Sequence, residues 1–447
     1  MRLPAPCVPV TLVIGVALSA FGSTLAQSQS NPPAIGQAPA NEKLEFAVIL
    51  TRHGVRSPTR KTDELNRYSR QPWPTWSVAP GHLTEHGAHL MTLVGAYDRE
   101  QFASEGLLTT TGCADADHIK IIADSDQRTR ETGRSLAVGL APSCSIEVSS
   151  LPEGTVDPLF HSLRANAEHA DNGLAFASVV GRIGSSPEGL IEAYRPQLES
   201  LQEVLRGCSP GAECAKPGAV ALPSIFDVPS SLGIGKGSRL LEFHSPMSLA
   251  STMAEDFLLE YTEGMEMQNV GWGRLDLHKL REMVQIHTAE EDITGRSSYI
   301  ACVQSSSLLF HILASLEQAA QQKAVAGALT KPSDRLLILV GHDTNLANVS
   351  GALNLSWLVD GRRDDTPPGG ALVVELWKQR GTAELTVRAY FMAQSLDQMR
   401  NASPLSLAEP PERAALWIPG CSRADLSCDW GAFQKAIESA MIPAFAK

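Results

Sequence analysis

Residues 52–59 read Arg-His-Gly-Val-Arg-Ser-Pro-Thr, just downstream of the apolar run 44–50 (LEFAVIL). A short run this apolar reads as a strand buried on both faces, the kind found in parallel sheets. Ligands collect outside the carboxyl ends of such strands. The octet therefore sets a histidine between two arginines at the mouth of a buried strand. Arg52 and Arg56 carry forked, permanently charged donors that match phosphate oxygens. His53 carries a ring nitrogen that attacks phosphorus when neutral. Gly54 is expected to let the backbone approach a ligand closely.

Two more apolar runs end the same way. Residues 335–340 (RLLILV) precede Gly341, His342, Asp343, Thr344 and Asn345, and residues 119–123 (IKIIA) precede Asp124 and then Arg128 and Arg130. Three strand ends rich in histidine and arginine imply one shared anion site. Arg52, Arg56, Arg60, Arg128 and Arg130 are its candidate cations.

The 447 residues suffice for two domains or lobes, and the 43% hydrophobic and 19% charged content are those of an ordinary globular chain. Arg2, the apolar stretch 10–21 and the small-residue site 24–26 read as a secretory signal covering residues 1–26. No later stretch is expected to span a membrane. Loss of the signal leaves 36 basic against 49 acidic side chains, a net charge of −13. So acidic a protein is a poor general binder of nucleic acid or anionic membrane, and an anionic substrate must be drawn by a local cationic pocket. Export favours disulfides: Cys208/Cys214 and Cys421/Cys428 suit local bridges, Cys113/Cys144 a third, and Cys302 is left as a buried free thiol.

Residues 27–43 read as a flexible leader. Strand, loop and helix then alternate to about residue 145, with Thr84 capping a helix through Arg99 and Thr129 opening another to Leu140. Helical periodicity dominates 187–205, 248–264, 275–288 and 297–326. Strand signals return after Arg335, with 371–378 and 384–393 suited to adjacent strands. The order predicts an α/β fold, a central, mostly parallel sheet flanked by helices, made of residues 44–164 and 331–447. Residues 165–330 would form an inserted, mostly α-helical domain.

Three other patterns carry no chemistry. Gly233–Ser238 is glycine-rich, but Gly237 separates its lysine from its serine, and a loop is the better reading. His82, His86 and His89 lack a common helix face, because the Thr84 cap leaves His82 outside the helix. No Gly-x-Ser-x-Gly elbow is present.

The Arg-His-Gly-x-Arg-x-Pro motif with its late His-Asp pair resembles the histidine acid phosphatases, branch 2 of the histidine phosphatase superfamily. Residues 72–76 (PWPTW), 121–133, 271–274 (GWGR), 341–351 and 366–370 (TPPGG) resemble the bacterial periplasmic phytases of that family. The resemblance covers essentially the whole mature chain. It implies an α/β domain with an inserted α-domain, a site between them, and no metal or other cofactor. His53 would become a phosphohistidine; Arg52, Arg56, Arg128 and His342 would hold the phosphoryl oxygens; Asp343 would protonate the leaving alkoxide. Thr59, Arg60, Asp124, Ser251 and Glu255 would meet the substrate.

Departures from the phytase pattern touch substrate breadth, not the reaction. Arg60 replaces a lysine, Thr252 a methionine, and 299–307 holds no arginine. One phytase disulfide lacks its cysteines, both in 164–172 and at the C-terminus. The expectation is a periplasmic or secreted monomer that hydrolyses phosphomonoesters at acidic pH, with phytate (inositol hexakisphosphate) as substrate. The alternatives are a broad acid phosphatase or glucose-1-phosphatase. A phosphomutase fits poorly with a signal peptide, and a non-catalytic phosphate binder would not need both His53 and Asp343.

Overall fold

The computed structural model describes residues 41–207 and 222–446. The expected signal, most of the leader and the Cys208/Cys214 pair lie outside the described residues. One mixed sheet organises the rest. Its strands are β1 (Glu42–Arg52), β2 (Ile119–Ala123), β3 (Val148–Ser149), β4 (Leu336–Gly341), β5 (Ala371–Gln379), β6 (Leu385–Ala393) and β7 (Glu412–Ala415). They run in the order β7-β6-β5-β1-β4-β2-β3, and Cys428–Asp429 also pairs with β6. β1, β4, β2 and β3 are mutually parallel and form the core that bears the site, while β5, β6 and β7 extend it through antiparallel pairings.

Burial on both faces explains why β1 is continuously apolar from Phe46 to Leu50. Ala47 and Ile49, with Ile338 and Val340 of β4, pack under α1 (Glu85–Ser104) and α2 (Gln127–Leu140). Phe46, Val48 and Leu50, with Leu337 and Leu339, face the opposite layer. A one-residue slip of β1 would exchange both faces at once, so the register is firmly specified. That register pairs Arg52 with Gly341 and Ala123 with Val340, bringing three strand ends level.

Thr84 caps α1 as expected, its side chain accepting from the Gly87 amide. A Cβ on Gly87 would lie 2.1 Å from the Val55 carbonyl oxygen, so only glycine lets the 53–56 loop rest on α1. The same contact corrects the reading of Gly54. A Cβ there would lie 2.8 Å from Met91 Cγ and 3.0 Å from the Gly87 oxygen, so helix packing, not a ligand, demands glycine.

The expected helix 187–205 is two helices, Glu188–Ala193 and Arg195–Arg206, because Pro196 has no amide hydrogen to continue the first. α3 (Pro246–Thr262) and α4 (Leu277–Thr294) pack through Met253, Phe257, Leu280 and Met283. α5 (Ser298–Gln321) crosses between layers: Val303 joins a small cluster beside the hairpin Ser231–Ile234/Leu241–His244, and Leu308, Leu309 and Leu313 pack on the sheet. Contrary to the sequence expectation, α5 is long and apolar enough to cross a membrane, but it is mostly buried in the protein. Disulfides join Cys113 to Cys144 and Cys421 to Cys428, and Cys302 is a half-buried free thiol.

Candidate active site

The carboxyl end of β1 delivers a fully buried arginine. Arg52 Nη1 donates to the Thr366 carbonyl at 2.7 Å, and Nη2 pairs with Glu255 and, at 2.8 Å, with Asp343 Oδ2. Arg56 Nη2 donates to Glu255 Oε1 at 2.9 Å, so one carboxylate on α3 bridges two guanidinium groups. A buried carboxylate ordinarily loses its charge. Burial does push Glu255 upward, but Arg56 and Arg52 outweigh it and hold the group below its usual range.

His53 is 1% exposed and lies among these cations. Its Nδ1 is 2.8 Å from the Gly54 carbonyl oxygen. A carbonyl only accepts, so the hydrogen sits on Nδ1 and the lone pair on Nε2. Burial first, then Arg52, Arg56 and Arg128, push the ring's pKa well below the ordinary histidine value. The shift favours the neutral ring, whose free lone pair lies on Nε2.

The parallel partner strand supplies the other half. His342 is the N-cap of α6 (Asp343–Ala352), its amide donating to Asn345 Oδ1 at 2.9 Å. His342 Nε2 lies 2.6 Å from Asp124 Oδ2, and its Nδ1 lies 3.4 Å from Arg128 Nη2. Asp124 can accept only from a protonated Nε2, which leaves Nδ1 to accept from Arg128. The rings of His53 and His342 meet edge to face, with centroids 5.6 Å apart. Asp343 opens the helix. Burial pushes it up, yet Arg52 above all brings it far below the usual carboxylate range.

Arg52, His53, Arg56, Arg128, His342, Asp343 and Glu255 thus lie together. Thr59 and Arg60 are exposed on the loop beyond. Asp124 and Ser251, expected to meet substrate, both have protein partners. Asp124 is 1% exposed and accepts from His342 and, at 2.8 Å, from His161 Nε2, while Ser251 Oγ lies 3.0 Å from His287 Nδ1. Arg130 pairs with Glu153 at 3.1 Å, which weakens its claim to a rim role. His161 and His287 escaped the sequence reading. Each is an isolated histidine without motif spacing, and folding alone reveals its partner.

Among the described residues, two groups have ligand atoms close enough for a metal, Asp124/His161/His342 and Glu255/His287/Asp343. Neither donor set fits a cation well. Asp124 Oδ2 already accepts from two imidazoles, and both carboxylates of the second set are matched by Arg52, which would repel a metal. His86 of the 82–89 trio is engaged by the Met399 carbonyl at 2.8 Å.

Known proteins resemble this chain along most of its length. A sequence model of the histidine phosphatase superfamily (branch 2) matches residues 43–180 and 242–392. The chain is 34% identical to the phytase AppA of Escherichia coli (strain K12) over 416 residues, covering 92% of this chain and 95% of that one. It is 25% identical to a glucose-1-phosphatase of Providencia rettgeri over 97% of this chain and 98% of the other. Among solved structures, Hafnia alvei phytase in complex with myo-inositol hexakis sulphate superposes with a TM-score of 0.81 at 34% identity, covering 92% of this chain and all of that one.

Proposed function

Because the chain belongs to branch 2 of the histidine phosphatase superfamily, we propose that it hydrolyses phytate through a phosphohistidine on His53. Its reaction class is phosphomonoester hydrolysis, and the enzyme is a histidine acid phosphatase. The observation that carries the nucleophile assignment is the His53 Nδ1–Gly54 bond, which leaves Nε2 free amid three guanidinium groups.

His53 Nε2 forms a bond to phosphorus as the ester P–O bond breaks, and Asp343 donates a proton to the departing oxygen. Water then attacks phosphorus, Asp343 takes a proton from it, and the P–N bond breaks to restore His53. Preorganised cations stabilise the charge spread over the equatorial oxygens. Without substrate, Arg52 holds Asp343 ionised. A phosphate on Arg52 and Arg56 offsets that positive charge and raises the proton affinity of Asp343. The general acid is thus generated by substrate binding, and low pH assists it.

The absence of arginine in 299–307 and the pairing of Arg130 with Glu153 favour a second reading, a glucose-1-phosphatase or broad acid phosphatase. Export to an oxidising compartment, periplasmic or extracellular, accounts for the disulfides Cys113–Cys144 and Cys421–Cys428. A phosphate-release assay on phytate, glucose 1-phosphate and nitrophenyl phosphate, from acid to neutral pH, tests the assignment. Phytate should show the highest kcat/KM in acid; a clear preference for glucose 1-phosphate rejects it in favour of the second reading.

A further inference from the structure

Behind the arginine trap lies one buried histidine that the reaction leaves unused. His287 sits on α4 and is 7% exposed. Its Nδ1 is 3.0 Å from Ser251 Oγ on α3, while its Nε2 is buried without a hydrogen-bond partner. Buried polar atoms are ordinarily paired, which argues for a partner that Nε2 acquires during turnover. Two candidates are close. A ring nitrogen of His287 and one carboxylate oxygen each of Asp343 and Glu255 lie within 4.8 Å of one another. With Nδ1 on Ser251, Nε2 is the nitrogen left to reach them. In the resting site both carboxylates are paired with arginine instead: Asp343 Oδ2 is 2.8 Å from Arg52 Nη2, and Glu255 Oε1 is 2.9 Å from Arg56 Nη2. Asp343 therefore alternates between an ionised form on Arg52 and a protonated form beside the bound ester, so one proton departs and returns in every cycle.

We infer that His287 stores this proton, passing it from Nε2 to Asp343 when a phosphoryl group takes over Arg52 and receiving it back when product phosphate leaves. The imidazolium loses its Nε2 hydrogen and keeps the electron pair on that nitrogen, while a carboxylate oxygen of Asp343 gains the proton. Nδ1 retains its hydrogen and donates to Ser251 Oγ, which holds the ring in place through the exchange. Asp343 then protonates the leaving oxygen, recovers a proton from the attacking water, and returns it to Nε2 as Arg52 reclaims the carboxylate. Charge drives both halves. Two ionised carboxylates beside the ring favour the imidazolium in the resting site, whereas Asp343 freed from Arg52 and facing a phosphate gains proton affinity. Other charges nearby leave this exchange undisturbed. Glu290 and Glu291 share the face of α4 that carries His287, being three and four residues on. Burial first raises both, and Asp343 adds to the shift that takes Glu291 well above its ordinary value, so neither brings much charge in acid. Arg52 and Arg56 are matched by the two carboxylates. The inference rests on Asp343 as the general acid and not on any one substrate.

The test uses His287→Gln, which still hydrogen-bonds but cannot hold the proton; His287→Asn replaces it if the first variant fails to fold, as judged by its melting transition. On ethyl phosphate the variant should match the wild type in strong acid, where bulk protons reach Asp343. On the alkaline limb its kcat should fall about tenfold below the wild type, a displacement of one pH unit, with KM and nitrophenyl phosphate hydrolysis hardly changed. Imidazole in the buffer should restore part of the lost rate. Calorimetry with sulfate, a dianion across this range, reads the proton without turnover, in buffers of different ionisation enthalpy. The wild type should bind sulfate with little net proton uptake, because the proton moves within the protein, and the variant should draw about one proton from the buffer. A loss of kcat uniform across pH, or equal proton uptake by both proteins, overturns the proposal. Asp343→Asn that stays fast on ethyl phosphate would refute the acid and the store together; a slow Asp343→Asn beside an unaffected His287→Gln refutes the store alone.

Discussion

Asp124 Oδ2 accepts hydrogen bonds from two histidines at once, His342 Nε2 at 2.6 Å and His161 Nε2 at 2.8 Å. Its other oxygen accepts from the Ser125 amide at 2.7 Å, so the carboxylate is fixed in place. Burial pushes its pKa up, but the bonds to His161 and His342 outweigh that and keep it ionised. Asp124→Asn should therefore lower kcat more than it raises KM, because His342 loses its orientation and its counter-charge. One charge-assisted bond contributes about 1.5–3 kcal/mol, which corresponds to a loss of roughly 10- to 150-fold. A KM effect alone would make Asp124 a substrate contact.

His53→Ala should abolish turnover and leave the melting temperature little changed, since no hydrophobic core contact is lost. Acid-labile phosphate trapped from a labelled substrate should map to the peptide containing residues 52–59. Label on a different peptide, or substantial activity in the variant, would refute the phosphohistidine.

Asp343→Asn removes the proton donor and leaves the arginines in place. Alkyl phosphates, whose leaving groups need protonation, should slow by about 10²–10⁴-fold, and nitrophenyl phosphate far less. Equal losses on both would assign Asp343 to positioning.

Arg60 is the one exposed arginine of the 52–60 stretch, and phytate would offer it a second phosphate. Arg60→Ala should raise KM for phytate several-fold and hardly change that for glucose 1-phosphate. The effect is held to about 1 kcal/mol because water screens an exposed pair. Equal change on the two substrates would remove Arg60 from the rim.

Stability should be greatest in mild acid. Burial raises Asp98 from 3.8 and Glu105 from 4.5 to about 8 each, with Glu375 adding to the shift of Glu105 and Arg413 opposing both. Folded-state pKa values above the unfolded ones mean stabilisation that is complete below about pH 4 and is lost as pH rises toward 8. Asp343 and Glu255 act oppositely, losing their contribution as pH falls below about 4. Melting temperature should fall from mildly acid to alkaline pH, and Asp98→Asn should flatten that slope. A melting temperature that rises toward alkaline pH would contradict the sign.

The parts of the site set by local sequence were legible. Arg52, His53 and Arg56 follow one apolar strand, His342 and Asp343 another, and Thr84 announces the helix beneath the loop. His161 and His287 were not legible, because a lone polar residue in a loop or helix acquires meaning only from what folding sets against it. Ser251 and His287 meet only because α3 packs on α4. Gly54 was misread for a related reason: its neighbour is a helix that begins only at Glu85, not a ligand.

The parallel pairing of β1 with β4 joins Ala47 to Leu336, with the helical segment between them in the chain. Strands so far apart in sequence come together late, after a large loop-closure cost, so the topology predicts slow folding. A nascent chain that has not yet released β4 holds His53 without Asp343 or His342. It can display the arginine loop but cannot complete a turnover. Recovery of activity during refolding thus reports closure of the largest loop in the sheet's parallel half, and should lag behind recovery of helical signal.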